Sequence, residues 1–321
     1  MTSAQAPALR GVLSPVLTPF NADQSPSVGR FIRHCRWLLT QDVGLAIFGT
    51  NSEANSMTVA EKRALLNHLA EAGLPMSKVM PGTGACALPD AIELTRHAVR
   101  AGCAGVLMLP PFFYKGVSDE GLYRGFAQLI DAVADERLRV YLYHIPPVAQ
   151  VGISFALIDR LMRQFPGTIA GIKDSSGDWA TTSRLLSEFQ PRGLDVFAGN
   201  ETFLLETLRA GGAGCITATG NVNPANIVKL LREWRGPDAD GQQQRLNETR
   251  AVFQSFPIIA AMKATIGWKS GDAGWSKMRP PLVELDAEQD ALLRVKLRAV
   301  GFSMPEAALL ADAGAAAMAT L

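Results

Sequence analysis

The chain has 321 residues, of which 48% are hydrophobic and 19% charged, a balance typical of a compact globular protein and not of a disordered one. The 31 basic and 30 acidic residues leave a formal net charge of +1, and no basic cluster is long enough to follow a phosphate backbone, so nucleic acid is not an expected partner. No apolar run reaches membrane-spanning length without interruption, and residues 1–10 lack the pattern of a secretory signal, so we expect a cytoplasmic protein.

Short apolar segments bounded by Gly, Pro or Asn recur along the chain and are predicted to be β-strands. They are residues 12–17, 44–48, 79–81, 105–109, 140–143, 169–172, 196–198 and 215–218. Helical patterns lie between most of them, for example at 58–72, 88–101, 120–134 and 154–163. This alternation predicts an α/β fold, the closed (β/α)₈ TIM barrel. A doubly wound sheet is the alternative, but it would usually have fewer strands and a glycine-rich first turn.

The composition changes after Trp234, where a turn-forming stretch at 236–241 is followed by further helical patterns. These patterns cover residues 246–266 and 287–300 and an alanine-rich tail at 305–321. We therefore predict a barrel that carries the active site, residues 1–235, and a C-terminal helical region packed on it, residues 236–321.

Residue types that hold metals are scattered along the chain. The four cysteines form no C-x-x-C pair, the four histidines are far apart, and no carboxylate cluster follows the predicted strands. The cysteines are interpreted as small core residues. We expect no metal and no cofactor, which disfavours a metal-dependent barrel aldolase.

Active sites of such barrels form at the carboxyl ends of the strands. Lys173 follows the apolar segment 169–172 and precedes a turn, so its ammonium is partly withdrawn from water, which disfavours the charged form. An uncharged amine at this position is a candidate nucleophile. The alternative is an ordinary lysine at the end of a strand that pairs with Asp174 or Asp178.

Schiff-base chemistry on a 2-oxo acid needs an amine, a group that moves protons at the carbinolamine oxygen, and N–H donors for the carboxylate. Tyr143, at the end of its predicted strand, is the candidate proton shuttle, and Thr50 is the candidate link to solvent or to a second tyrosine. The turn Gly49-Thr50-Asn51 offers N–H groups. Two plainer interpretations stay open: a core aromatic at Tyr143, and a simple strand-to-helix connection at the turn.

Three motifs resemble those of the pyruvate-dependent class I aldolase superfamily typified by dihydrodipicolinate synthase and N-acetylneuraminate lyase. They are Gly-Thr-Asn-Ser-Glu at 49–53, Tyr-His-Ile-Pro at 143–146 and Gly-Ile-Lys-Asp-Ser-Ser-Gly at 171–177. The resemblance implies that Lys173 forms the imine, Tyr143 shuttles the proton, Thr50 relays it, and Thr50 with Asn51 cradles the carboxylate. The candidate substrate-binding residues are Gly49, Asn51, Tyr114, Gly199 and Ile216. A homo-oligomer, tetramer or dimer, is implied as well.

Departures from the family pattern bear on the substrate. Members that make dihydrodipicolinate usually have an arginine two residues after the proline of the second motif, where this chain has Val148. Bidentate recognition of a second carboxylate is lost there, which disfavours lysine biosynthesis, and service by another basic group is the alternative that stays open. Asn51 and Ser52 replace the usual Thr and Gly. Phe113 or Tyr114 takes the place of the second tyrosine, and with Phe113 the relay would use water or His144.

The sequence therefore predicts a cofactor-free lyase that forms an imine with pyruvate or a pyruvate-derived 2-oxo acid. A 2-keto-3-deoxy sugar acid or a 4-hydroxy-2-oxo acid is the favoured substrate class. The first alternative is 4-hydroxy-tetrahydrodipicolinate (dihydrodipicolinate) synthase. The second is a barrel that binds a 2-oxo acid without catalysis.

Overall fold

The computed structural model describes residues 9–311, and a single parallel sheet forms its centre. The strands are β1 Gly11–Ser14, β2 Gly44–Leu45, β3 Val106–Met108, β4 Val140–His144, β5 Ile169–Asp174, β6 Asp195–Ala198 and β7 Gly214–Ile216. Neighbouring strands are parallel, in the order β2-β1-β7-β6-β5-β4-β3. Each predicted apolar segment except 79–81 therefore overlaps a regular strand.

The remaining segment closes the barrel. Residues 79–83 lie between the two edge strands: the Met80 N–H donates to the Leu45 carbonyl at 2.8 Å, and the Leu107 N–H donates to the Pro81 carbonyl at 2.9 Å. Parallel bridges join this closing segment to both edges. Pro81 has no N–H to donate, which interrupts the ladder beside β3. The predicted (β/α)₈ barrel is confirmed, and one of its eight strand positions is irregular.

Helices surround the barrel and continue beyond it. They are α1 Val28–Thr40, α2 Val59–Glu71, α3 Leu88–Arg100, α4 Asp119–Val133, α5 Pro146–Ala149, α6 Phe155–Gln164, α7 Trp179–Phe189, α8 Leu204–Arg209, α9 Pro224–Glu233, α10 Ala239–Gln254, α11 Ile258–Ser270 and α12 Ala287–Ala299. Thr58 and Glu61 form the expected capping box of α2. The pattern at 246–266 is divided between α10 and α11 because Pro257 cannot donate a helical hydrogen bond.

Side chains inside the barrel form an apolar cluster that is separate from the layer between strands and helices. This interior cluster includes Leu13, Ala46, Met80, Leu107, Tyr141, Tyr143, Phe197 and Ile216. Tyr141 fills the space beside two glycines, since a Cβ at Gly105 or Gly171 would lie 2.7 or 2.5 Å from its ring atoms. Burial raises the pKa of Tyr141 to about 12, with a further contribution from Asp195. Tyr141 is therefore a core aromatic beneath Tyr143.

The C-terminal helices share the outer apolar layer with the barrel helices. Leu246, Phe253, Met262, Ile266 and Leu293 belong to the same buried cluster as side chains of β1 to β7. The C-terminal helical extension is confirmed, while the division into domains at residues 235 and 236 stays a prediction. Residues 1–8 and the part of the alanine-rich tail at 312–321 lie outside the described residues.

None of the helices within residues 9–311 combines the length and the apolar character that crossing a bilayer requires.

His34 on α1 is fully buried against the loop that follows β7. Its Nε2 lies 3.2 Å from the carbonyl oxygen of Asn221, and the Asn221 side chain accepts from the Leu17 N–H at 3.0 Å. Burial lowers the pKa of His34 to about 4, although the contact with Asn221 opposes the shift. The folded protein therefore holds this imidazole neutral, whereas the unfolded chain protonates it near pH 6.5.

Acidification should destabilise the fold through His34. Because its folded pKa lies below its unfolded value, its contribution to stability is complete above pH 6.5 and is lost as the pH falls toward 4. We expect His34→Phe to reduce the difference in unfolding free energy between pH 7 and pH 5 by roughly 2 kcal/mol. Urea unfolding at both pH values measures this, with His68→Gln on the surface of α2 as control. Equal pH dependence in wild type and His34→Phe would contradict the assignment.

Candidate active site

Lys173 and Tyr143 lie side by side at the mouth of the barrel. They are direct partners in the parallel ladder between β4 and β5, and Lys173 is also paired with Phe197 on β6. Since Tyr143 and Phe197 face the barrel interior, Lys173 at the same level faces it too. Its side chain is buried, and its Nζ lies 4.1 Å from the centre of the Tyr143 ring.

The carboxylates next to Lys173 in sequence have other partners. Asp174 accepts from the Ser176 N–H at 3.0 Å and from the Thr182 hydroxyl at 2.5 Å, and Asp178 caps α7. Among residues 9–311, Lys173 has no carboxylate partner and no hydrogen-bond partner. The structure therefore does not form the ion pair with Asp174 or Asp178 that was the alternative interpretation, and no salt bridge competes for the amine.

The turn after β2 brings Thr50 to Tyr143. The Thr50 hydroxyl lies 3.2 Å from the Tyr143 hydroxyl, and either oxygen can be the donor. Residues Thr50–Ser52 form one turn of 3₁₀ helix, in which Gly49 donates its N–H to the Ser52 hydroxyl at 3.1 Å. The N–H groups of Thr50 and Asn51 have no acceptor within the described part of the chain. Two adjacent backbone donors beside the lysine and the tyrosine are suited to a carboxylate.

The same turn is held from behind by a buried ion pair. Glu53 forms a salt bridge with Lys263 of α11, and neither side chain is exposed to solvent. Burial lowers the pKa of Lys263, and the Glu53 carboxylate opposes that shift. Sequence reasoning did not identify this pair. Glu53 lies in the motif at 49–53, but nothing in the sequence connects it to Lys263.

Gly199 follows β6 and lies against the loop that follows Lys173. A Cβ at Gly199 would lie 2.1 Å from the Ser175 hydroxyl and 2.5 Å from the Asp174 carbonyl. The Ser175 Oγ is buried and has no hydrogen-bond partner in the range 9–311. Ser175 was missed at the sequence level, although a residue two positions after Lys173 shares its side of the strand. Ile216, at the end of β7, belongs to the interior cluster.

A second buried ion pair fixes the loops after β6 and β7. Glu201 accepts from the hydroxyls of Thr217 and Thr219, and Arg250 of α10 lies 2.8 Å from its carboxylate. These loops begin next to Gly199 and Ile216, so the network anchors the far wall of the site to a C-terminal helix. No motif in the sequence indicated it.

The second aromatic position is not filled by a buried ring. Phe113 and Tyr114 are each 71% exposed and pack edge to face at 5.3 Å. No hydrogen bond connects the Tyr114 hydroxyl to another residue within 9–311, so its substrate-binding role stays a prediction. His144 accepts from the Ile153 N–H at 3.0 Å through Nδ1, and burial lowers its pKa while Asp174 opposes the shift.

Among the described residues, no three His, Cys, Asp or Glu side chains come together as metal ligands would.

The chain is similar to known proteins in both sequence and fold. Residues 8–300 match the family described as the Dihydrodipicolinate synthetase family. A DapA-like lyase of Chloroflexus aurantiacus is 35% identical over 289 residues, which is 89% of this chain and 95% of the relative.

Solved structures of the same family are similar to this chain. Dihydrodipicolinate synthase from Agrobacterium tumefaciens superposes with a TM-score of 0.82 at 30% identity, covering 90% of this chain and 99% of that one. YagE from E. coli K12, a prophage protein of the dihydrodipicolinic acid synthase family in complex with pyruvate, gives 0.83 at 28% identity, with 92% and 99% covered.

The barrel and these relatives define a class I lyase. The chain belongs to the dihydrodipicolinate synthetase family, as the motifs in its sequence indicated.

Gly199 provides a test of how tightly this end of the barrel is packed. Gly199→Ala should lower the free energy of unfolding by roughly 1–3 kcal/mol, because the added methyl group overlaps a backbone carbonyl and the Ser175 hydroxyl. Gly125→Ala, where a Cβ meets nothing within 4 Å inside α4, is the matched control and should stabilise by about 1 kcal/mol. Denaturant unfolding measures both. A Gly199→Ala variant as stable as wild type would contradict the observed contact.

Proposed function

We propose that Lys173 forms a Schiff base with pyruvate or a pyruvate-derived 2-oxo acid, and that Tyr143 and Thr50 carry the protons. The observation that carries this proposal is the row of three groups at the mouth: the Lys173 amine over the Tyr143 ring, and the Tyr143 hydroxyl 3.2 Å from Thr50. The relative YagE, which is described in complex with pyruvate, supports the choice of ligand.

The first step is capture of the ketone. The nitrogen of Lys173 adds to C2 of the 2-oxo acid, the nitrogen then loses one proton, and the carbonyl oxygen takes up one proton to give a neutral carbinolamine. A second proton on that oxygen lets it leave as water, and the nitrogen lone pair forms the C=N bond. Tyr143 is the donor that lies beside the amine, and Thr50 returns a proton to it from the mouth of the barrel.

The carboxylate of the 2-oxo acid is assigned to the turn after β2. The N–H groups of Thr50 and Asn51 lack acceptors within residues 9–311, and they belong to the same short 3₁₀ turn as the Thr50 hydroxyl. A carboxylate bound there places the adjacent ketone carbon within the space bounded by Lys173 and Tyr143. Position and orientation are then fixed before the covalent step, which is a large part of the catalytic effect.

The iminium then acts as the electron sink for the lyase step. In a 4-hydroxy-2-oxo acid the C4 hydroxyl loses its proton and the C3–C4 bond breaks. The electron pair of that bond moves to C3 and onto the nitrogen as an enamine, and an aldehyde leaves. Protonation at C3 and hydrolysis of the imine release pyruvate and regenerate the amine.

The surroundings of the site favour a hydroxylated partner without a second carboxylate. Val148 is 62% exposed at the position where an arginine would be expected for a dicarboxylate, so no guanidinium is offered there. The Ser175 hydroxyl is a donor and acceptor that has no hydrogen-bond partner among residues 9–311. We assign Ser175 to a substrate hydroxyl, and a 2-keto-3-deoxy sugar acid or a 4-hydroxy-2-oxo acid to the site.

Incubation with pyruvate and borohydride tests the covalent step. We expect a reduced adduct on Lys173, located by peptide mass spectrometry, and its complete loss in Lys173→Ala. Tyr143→Phe should still bind pyruvate but lower kcat roughly a hundred-fold or more, because the proton shuttle is missing. An unlabelled wild-type protein would overturn the mechanism, and normal turnover by Tyr143→Phe would remove the shuttle role.

A second candidate function is condensation of pyruvate with aspartate semialdehyde. The similarity to dihydrodipicolinate synthase from Agrobacterium tumefaciens, which is 30% identical over 90% of this chain, supports this function. The exposed Val148 is the observation against it.

A substrate panel with pyruvate detection separates the candidates. Wild type should cleave 4-hydroxy-2-oxo acids and show little condensation with aspartate semialdehyde. Val148→Arg should raise the condensation rate about ten-fold, because a bidentate guanidinium contributes more than 1 kcal/mol to carboxylate binding, whereas Val148→Met should not. Fast condensation by wild type would show that Val148 does not exclude the semialdehyde. Stabilisation by pyruvate without turnover of any substrate would favour the non-catalytic binding barrel.

We also propose that the enzyme is a cytoplasmic homo-oligomer, tetramer or dimer. Phe113 and Tyr114 support an interface, because two adjacent aromatic rings exposed to solvent at the mouth of the barrel gain apolar burial when a second subunit covers them.

A further inference from the structure

The salt bridge between Glu53 and Lys263 is the most deeply buried ion pair in the described part of the chain. Both side chains have no exposed surface, and Lys263 also donates to the Lys277 carbonyl at 2.9 Å. The second oxygen of Glu53 accepts from the Arg279 N–H at 3.4 Å. Besides their contact with each other, Lys263 therefore has a partner at Lys277 and Glu53 has one at Arg279, both in the segment after α11.

Stability alone does not account for this arrangement. Removing two charges from water costs several kcal/mol each, and well-packed apolar side chains of similar volume are often at least as stable in the same place. The surroundings are apolar, since most of α11 is buried and the Phe20 ring lies 4.6 Å from the Lys263 nitrogen. An ion pair differs from apolar packing because it holds two atoms at one separation and in one orientation.

Glu53 ends the turn that is assigned to the substrate carboxylate, so the ion pair fixes the orientation of this turn. Glu53 has a left-handed backbone, with φ of 55°, which is unfavourable for a residue with a side chain. Its own N–H donates to the Thr50 carbonyl at 3.1 Å. Any movement of Glu53 is thus transmitted to the peptide groups of Thr50 and Asn51 and to the Thr50 hydroxyl beside Tyr143.

The C-terminal region reaches the other side of the turn as well. The Arg279 guanidinium donates to the Ser56 carbonyl at 2.7 Å and pairs with Glu61 at 2.5 Å. The C-terminal region therefore contacts the segment 53–61 at Glu53, Ser56 and Glu61, and the two side chains of the buried pair have no exposed surface.

We infer that Glu53 and Lys263 are positioning residues that set the carboxylate-binding turn, and that the C-terminal helical region controls affinity for the 2-oxo acid through this pair. The inference rests on the proposed function of Lys173 and the turn. It assigns the C-terminal helices a part in catalysis without any direct contact with substrate.

The test replaces both charges together, so that no charge is left buried without a partner. Glu53→Leu with Lys263→Met should keep the thermal stability of wild type within a few degrees, yet raise the pyruvate concentration for half-maximal borohydride labelling of Lys173 by about ten-fold or more. The matched control is Arg30→Met with Asp272→Asn, which removes a 2.7 Å ion pair between α1 and the residues after α11. The control should bind pyruvate as wild type does.

Labelling the wild type first distinguishes a failure of the proposed function from a failure of the positioning role. If wild-type Lys173 is not labelled, the proposed function fails. If wild type is labelled and a folded Glu53→Leu/Lys263→Met variant needs no more pyruvate than wild type, the positioning role fails. A rise of the same size in the Arg30/Asp272 control would also overturn it, because the effect would then be a general loss of packing.

A measurement on the unaltered protein covers the case in which the double variant does not fold. Amide hydrogen exchange is compared before and after pyruvate is fixed on Lys173 by borohydride. Coupling through the buried pair predicts slower exchange in peptides of the turn and of α11, and unchanged exchange in α12. Slower exchange in the turn with no change in α11 would contradict the inference.

Discussion

The parallel ladder between β4 and β5 sets Tyr143 directly opposite Lys173, and the chemistry of the site depends on that register. Partners in a parallel ladder point to the same face, so a register shift of one residue would turn one of the two side chains out of the barrel. Beneath them Tyr141 occupies the interior, in space that Gly105 and Gly171 leave open. The ring of Tyr141 therefore fills the barrel interior beneath the Lys173 amine.

The loops that complete the site are held by charges that lie outside it. Glu53 with Lys263 and Glu201 with Arg250 each connect a loop at the mouth to a C-terminal helix, and all four side chains are almost completely buried. The remaining ion pairs of the described residues are mostly exposed and contribute little to stability. The buried ion pairs therefore lie at the loops around the candidate active site, and the C-terminal helices contribute both to the apolar core and to the anchoring of these loops.

Much of the fold followed from local patterns. The apolar segments gave the strands, and the capping box at Thr58 and Glu61 marked the start of α2. The apolar composition of residues 79–81 predicts a strand, although Pro81 prevents a regular ladder there. Apolar spacing continues through the break between α10 and α11, so the sequence predicts one helical pattern across Pro257.

The sequence by itself determined the barrel and the family, because strand ends and short motifs are local properties of the chain, and the same local features predict Lys173, Tyr143 and Thr50 as site residues. Only the tertiary structure decided that Tyr141 is core, that the Ser175 hydroxyl has no partner within the described residues, and which cations pair with Glu53 and Glu201. Lys263 and Arg250 are distant from their partners along the chain. The energy that selects such partners comes from burial, which no local pattern records, since it exists only once the C-terminal helices pack against the barrel.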